Sequence, residues 1–153
     1  IFKNDKEKIN FDKKNLEINK QKSKNRASIL DGVPISLPSI IKSQRLQEKA
    51  SSVGFDWDNI NDVWAKLYEE IDELKIACEK GQLKSIEEEI GDCFFSLVNL
   101  ARHLNISAEN SVRKTNNKFS KRFKEVELKV SKMSKKINEM SNEEISKLWE
   151  SVK

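Results

Sequence analysis

Two neighbouring stretches, residues 60–79 and 83–104, repeat apolar side chains at three- and four-residue steps and are joined by a short connection at Gly81. The first carries Ile60, Val63, Trp64, Leu67, Ile71, Leu74 and Cys78. The second carries Leu83, Ile86, Ile90, Cys93, Phe94, Leu97, Val98, Ala101 and Leu104. That period is one face of an α-helix. With so short a link the two helices pack antiparallel as an αα-hairpin. Phe95 and Leu100 give the second helix a further apolar flank, so it needs cover on two sides.

The rest of the chain agrees with a helical fold, because four Gly and two Pro in 153 residues leave little turn chemistry for a sheet. "LDGVPISLP" (30–38) reads as an extended entry. Ser36 or Ser39 is expected to cap a first helix running to about Val53, with Ile40, Ile41 and Leu46 inward. "GFDWDN" reads as a loop, and Asn59 or Asn61 as the next cap. Ser107 and Ser141 open the last two helices, the longer through Val112, Phe119, Phe123 and Val126, the shorter through Ile145, Leu148 and Trp149. Trp57 and Trp64 are assigned to packing, and His103 to a helix C-terminus. The expected fold is an all-α helical bundle over residues 30–153. Its surplus apolar surface predicts completion by a second copy of the chain, a homodimer.

Residues 1–29 are expected to be a linker or the tail of a preceding domain, and the opening Ile1 suggests a fragment of something longer. Through Ser28 there are nine basic residues against four acidic, so the net charge of +4 belongs mostly to this tail and the remainder is close to neutral. A solvated linker accounts for such a tail, and nucleic acid is not expected as a partner. Cys78 and Cys93 form no CxxC and suit a reducing, cytoplasmic compartment. The apolar run near Phe94 is far too short to span a membrane.

Acidic residues inside this pattern need a reason. Glu70 and Glu73 lie one turn apart on the first hairpin helix, flanking its apolar stripe, and Glu89 and Asp92 repeat the spacing on the second. Ser96 and Asn99 continue the latter line as polar residues in an apolar helix. Folding the hairpin lets four carboxylates converge, which is stable only with protons or cations among the oxygens. Oxygen-only ligands select hard ions, Mg2+ first and Mn2+ as a substitute. No calcium-loop glycine is present, and His103 is not placed to make the Glu-x-x-His pairs of a di-iron bundle. Ordinary solvated faces, paired with Lys75 and Lys84, are the competing account.

"EEIDE" followed by "EEIGD", with "LDGVPISLPSIIKSQRLQEKASSVGFDW", "SLVNLARHL" and "KTNNKFSKRFKEVE", resembles the catalytic C-terminal domain of MazG-type nucleoside triphosphate pyrophosphohydrolases over about residues 30–128. "IFKNDKEKINFDKKNLEIN" resembles the end of the first domain in two-domain members. The resemblance implies Mg2+-dependent cleavage of a nucleoside triphosphate between its α and β phosphates, giving a monophosphate and pyrophosphate. It implies metal binding and catalysis by Glu70, Glu73, Glu89 and Asp92, with Glu70 and Glu73 both open as general base. It further implies substrate contacts by Lys118 and Arg122, one turn apart, with Asn116 in the same motif and Trp149 covering the base. Asn99 is expected at the substrate from its place on the polar line, which needs a lined cleft to partner it. The rival reading is a non-catalytic helical module that binds nucleic acid or a protein through its basic tail and stripe. It leaves the core-side carboxylates and Asn99 unexplained.

Overall fold

The computed structural model describes residues 27–153, together with residues 12, 14–16 and 18–19. The latter are helical, where the sequence suggested an irregular linker, and the tail's other residues through Arg26 lie outside the described residues. No strand occurs among the described residues. The chain divides into two compact units, the first ending at Ala108 and the second running from Glu109 to Lys153.

In the first unit a 3-10 turn, Ile29–Gly32, leads to α1 (Ser39–Ser52), α2 (Ile60–Lys80) and α3 (Leu83–His103). Ser28 opens the turn with a reciprocal cap: Leu30 N–H donates to its Oγ at 3.2 Å while Ser28 N–H donates to Asp31 Oδ2 at 2.8 Å. Neither Ser36 nor Ser39 caps α1, contrary to expectation. Pro38 takes the N-cap position, its fixed φ of −51° suiting the approach, and Ser39 is already the first helical residue. Asn59 caps α2, accepting from Asn61 N–H at 2.9 Å. Gly81 ends α2 at φ +65°, in the left-handed region. A Cβ there would meet no neighbour, so glycine is needed for its backbone freedom alone.

The hairpin forms as the periodicity predicts, but the buried line is narrower. Val63 (1% exposed) and Leu67 of α2 pack against Leu100 of α3. Burying a valine to this degree contributes about 1.5–3 kcal/mol. Leu100, expected on the secondary flank, is the core residue. Leu83, Ile90, Phe94, Leu97 and Leu104, expected inward, are exposed in the single chain, as are Ile60, Trp64 and Ile71 of α2 and Trp57 of the loop. α1 joins α3 through a polar contact: the Gln47 side-chain Nε2 donates to the Phe95 carbonyl at 2.9 Å.

The second unit comprises α4 (Ala108–Lys132, its first residue the last of the first unit), a 3-10 turn at Ile137–Glu139 and α5 (Asn142–Glu150). Val126, Val130 and Leu148 form its core, with Ile137, Met140, Trp149 and Val152 packed against them. Ser141 and Glu144 form a capping box at the start of α5, an arrangement worth about 1 kcal/mol. The Ser141 backbone N–H and then Lys135 hold the Glu144 carboxyl below its ordinary range. Val112, Phe119 and Phe123, expected inward on α4, are exposed.

Candidate metal centre

The hairpin register brings three of the four singled-out carboxylates together. Glu70, Glu73 and Glu89 each offer one oxygen, and these three oxygens all lie within 4.8 Å of one another. Glu70 is 5% exposed, Glu89 half-buried and Glu73 exposed, so the cluster spans from the core edge outward. Asp92, one turn beyond Glu89, is exposed and is not one of the three. Its charge still reaches them. Burial first, and then the charges of Glu73, Asp92, Glu70 and Glu88, push the Glu89 carboxyl above its ordinary value.

One oxygen is unsatisfied: Glu89 Oε2 is buried with no hydrogen-bond partner among the described residues. A buried carboxylate oxygen without a donor is costly, and a cation removes the cost. Three hard oxygen ligands, mutual repulsion and an orphaned acceptor fit a divalent ion of the magnesium type. The Cys93 thiol beside them is pushed up by burial and by Glu70, Glu89 and Asp92, so it remains a neutral wall rather than a thiolate ligand.

Lys75 and Lys84 do not neutralise the cluster. Lys75 pairs with Asp72 at 2.7 Å, and Lys84 approaches Glu88 at 4.0 Å. The partner the sequence reading missed is Lys66, whose Nζ lies 2.7 Å from Glu70 Oε1 and 3.1 Å from Glu69 Oε1. Its i, i+4 spacing to Glu70 was visible in the sequence. Hydrogen bonds to Glu70 and then Glu69 hold the ammonium above its ordinary range. Lys66 thus stands as an internal counter-cation on one side of the site.

A second polar group has no local sequence signal. Arg102, in the last turn of α3, donates from Nη1 to Asp56 Oδ2 at 2.8 Å and from Nη2 to Oδ1 of the same loop carboxylate. It also donates from Nη2 to Asn99 Oδ1 at 2.7 Å, and His103 Nε2 lies 3.0 Å from Asp56 Oδ1. Asn99 is therefore held by its own helix neighbour. Burial alone would raise Asp56. The hydrogen bonds from Arg102 and Ser51, the Arg102 charge and the Trp57 N–H overcome it and hold the carboxyl well below its usual range.

In the second unit Lys118 and Asn116 are exposed, while Arg122 is half-buried and donates to the Lys153 carbonyl at 3.1 Å. Trp149 is half-buried, its ring tilted against Phe119 with centroids 5.5 Å apart.

The fold and the cluster define an all-α protein whose helical hairpin gathers three carboxylates, Glu70, Glu73 and Glu89. Residues 59–127 match the MazG nucleotide pyrophosphohydrolase domain. The chain is 37% identical over 140 residues to "Nucleoside triphosphate pyrophosphohydrolase" of Escherichia coli strain K12, covering 90% of this chain and 53% of that protein. It is 38% identical over 133 residues to "Nucleoside triphosphate pyrophosphohydrolase/pyrophosphatase MazG" of Thermotoga maritima, covering 87% and 51%. "Uncharacterized protein YabN" of Bacillus subtilis strain 168 is 37% identical over 134 residues, covering 87% of this chain and 27% of that protein. The chain thus spans about half the length of the first two relatives. No helix among the described residues is long and apolar enough to cross a membrane.

Proposed function

We propose that this chain hydrolyses nucleoside triphosphates to a nucleoside monophosphate and pyrophosphate, with Mg2+ as cofactor and Mn2+ as a substitute. The observation that carries the reading is the Glu70–Glu73–Glu89 trio with its unpartnered Glu89 oxygen, lying inside the stretch that matches a nucleotide pyrophosphohydrolase domain. Asp92 is the fourth ligand in this reading, a turn from Glu89 and coupled to it by charge.

When bound there, a divalent ion supplies Lewis-acid charge to phosphate oxygens and lowers the pKa of a water molecule. The chain supplies the rest. Glu70 and Glu73 are the candidates to take the proton of the water attacking the α-phosphorus; Lys66 already occupies one Glu70 oxygen, which favours Glu73. Pyrophosphate departs with high negative charge, and Lys118 and Arg122 are assigned to it, one turn apart on α4. Asn116 and Asn99 are assigned to phosphate or ribose, and Trp149 to a face of the base. A second copy of the chain is assigned to the exposed apolar stripe of α3.

A product-resolved assay over NTPs and dNTPs tests the reading. Monophosphate and pyrophosphate are expected with Mg2+ and neither without it; orthophosphate as the sole inorganic product would overturn it. Glu73→Ala and Asp92→Ala are each expected to lower kcat at least about 100-fold, the scale for losing a transition-state charge partner. Circular dichroism should keep its helical signal. Normal rates in both variants would remove the metal assignment.

A further inference from the structure

The carbonyls in the last turn of α5 need donors from outside the helix, and one of those donors comes from α4. The Ser151 hydroxyl donates to the Leu148 carbonyl at 2.7 Å. The Val152 and Lys153 N–H groups reach the Trp149 and Glu150 carbonyls at 3.3 and 3.4 Å. The carbonyl of Ser151 itself, at the C-cap, accepts from Lys129 Nζ at 3.2 Å, and the same ammonium donates to Ser151 Oγ at 2.6 Å. A cation is favoured at this negative end of the helix dipole. Two residues before Ser151, the half-buried Trp149 ring lies at 46° to Phe119 with centroids 5.5 Å apart, and Phe119 stacks on Phe123 at 5.9 Å. Phe119 directly follows Lys118, and Arg122 reaches the same C-terminal segment through the Lys153 carbonyl. The end of α5 is thus tied to α4 at Arg122 and at Lys129, two turns or about 10 Å apart along α4.

We propose that Lys129, through Ser151, is a positioning residue for the nucleotide's base: it latches the end of α5 so that the Trp149 ring keeps its place against Phe119 while substrate is bound. The inference rests on the assignments of Trp149 to the base and of Arg122 to pyrophosphate. It adds what holds the first when the second is engaged. A guanidinium that turns to a phosphate gives up its neutral carbonyl partner, because the charge-assisted bond is the stronger one. Of the two ties, the one from Arg122 to Lys153 is therefore released in the substrate complex. Lys129 has no such call on it and keeps its hold on Ser151. Without that hold the nine-residue helix is fixed to α4 by its apolar contacts alone, chiefly Leu148 on Val126 and Val130. The ring beside Leu148 then loses its fixed orientation. A stacking face that must be ordered on binding costs affinity, whereas one already held does not.

Two ligand pairs that differ by the base test this on the full chain: ATP against ribose 5-triphosphate, and AMP against ribose 5-phosphate. Lys129→Met keeps the aliphatic stem and removes the donor. It is expected to raise KM for ATP about fivefold, the lower range for a weakened base stack, with kcat held within about twofold. KM for ribose 5-triphosphate should not move, whereas general damage to the fold would shift both. Lys129→Arg, which keeps a charged donor, should return KM for ATP to within about twofold of wild type. Trp149→Leu should raise KM for ATP at least about fivefold, and adding Lys129→Met to it should do nothing more, because the two act on one contact. Additive losses in the double variant, or an unchanged KM for ATP in Lys129→Met, would overturn the latch. Trp149→Leu with wild-type KM removes Trp149 from the base and the latch with it. Calorimetry with the monophosphates requires no turnover. AMP binding about fivefold weaker in Lys129→Met, with ribose 5-phosphate unaffected, supports the latch even if no triphosphate is cleaved, the outcome that sinks the activity alone. AMP bound equally by both proteins, or by neither, sinks the latch.

Discussion

At the scale of single residues, Glu89 carries opposed demands. Its carboxyl is raised in the folded chain by partial burial and by four neighbouring carboxylates, and one of its oxygens is buried without a donor. A folded-state carboxyl that binds its proton more tightly than the unfolded chain does loses stability as pH rises through that interval, and the loss persists at neutral pH. Glu89→Gln is therefore expected to raise the metal-free melting temperature at pH 7.5, and to bring wild type and variant together as pH falls below the ordinary carboxylate range. The same change should abolish the rise in melting temperature that added Mg2+ gives the wild type by mass action. Thermal melts with and without Mg2+ at two pH values check both halves. A variant less stable than wild type at pH 7.5 without metal would show that Glu89 is held by attraction rather than by strain. Lys66 belongs to the same ledger: it relieves Glu70 on one side and leaves Glu89 unrelieved on the other.

At the scale of elements, the hairpin was legible because its signals are local. Period, cap and stop all lie within a few residues of one another, and Asn59, Gly81 and Ser141 act in the structure as the sequence suggests. The i, i+3 spacing of Glu70 with Glu73 and of Glu89 with Asp92 was equally local, and the hairpin register then carried three of the four oxygens together. What joins elements far apart in sequence was not legible. The clasp between Asp56 and Arg102 crosses 46 positions, and the contact from Gln47 to Phe95 crosses 48. No periodicity encodes such pairs, since they depend on how α1 and the following loop meet α3. The clasp matters because it ties the loop bearing Phe55 and Trp57 to the end of α3. Asp56 is held low, so its stabilisation is complete above the unfolded carboxylate range and fades as pH falls toward its folded value. Asp56→Asn is expected to cost about 1–2 kcal/mol at pH 7, the low end for charge-assisted bonds because solvent screens the pair. In denaturant titrations the gap should narrow below about pH 4, where the unfolded carboxyl protonates. A gap that stays constant from pH 7 to pH 2 would mean that the carboxylate's charge contributes nothing to the clasp.

At the scale of the whole molecule, the largest departure from the sequence reading is that residues patterned as core stand open. Leu83, Ile90 and Leu97 of α3 and its C-cap residue Leu104 recur every seventh residue, with Phe94 between them, and all five are exposed. A strict seven-residue apolar repeat on a 21-residue helix is the seam by which one helix packs along another. A solvated face would not repeat it. The flanks of the stripe are already used, since Val98 and Leu100, on either side of Leu97 around the helix, are buried within the chain. The periodicity predicts a buried face, whereas these residues are exposed in the single chain, so the expectation to test is a surface from outside it that buries them. A second copy satisfies this most simply, because closed two-fold pairing matches a patch to itself. Sedimentation is expected to give a dimer of the 153-residue chain. Leu97→Lys, which puts a charge in the middle of the stripe without touching the Val63–Leu67–Leu100 core, should shift the species to monomer and lower the melting temperature. If α3 pairing also steadies the helix that holds Glu89 and Asp92, the same variant should require several-fold more Mg2+ for half-maximal activity. A monomeric wild type, or a Leu97→Lys variant that remains a dimer, would leave the stripe without its partner and require another chain to cover it.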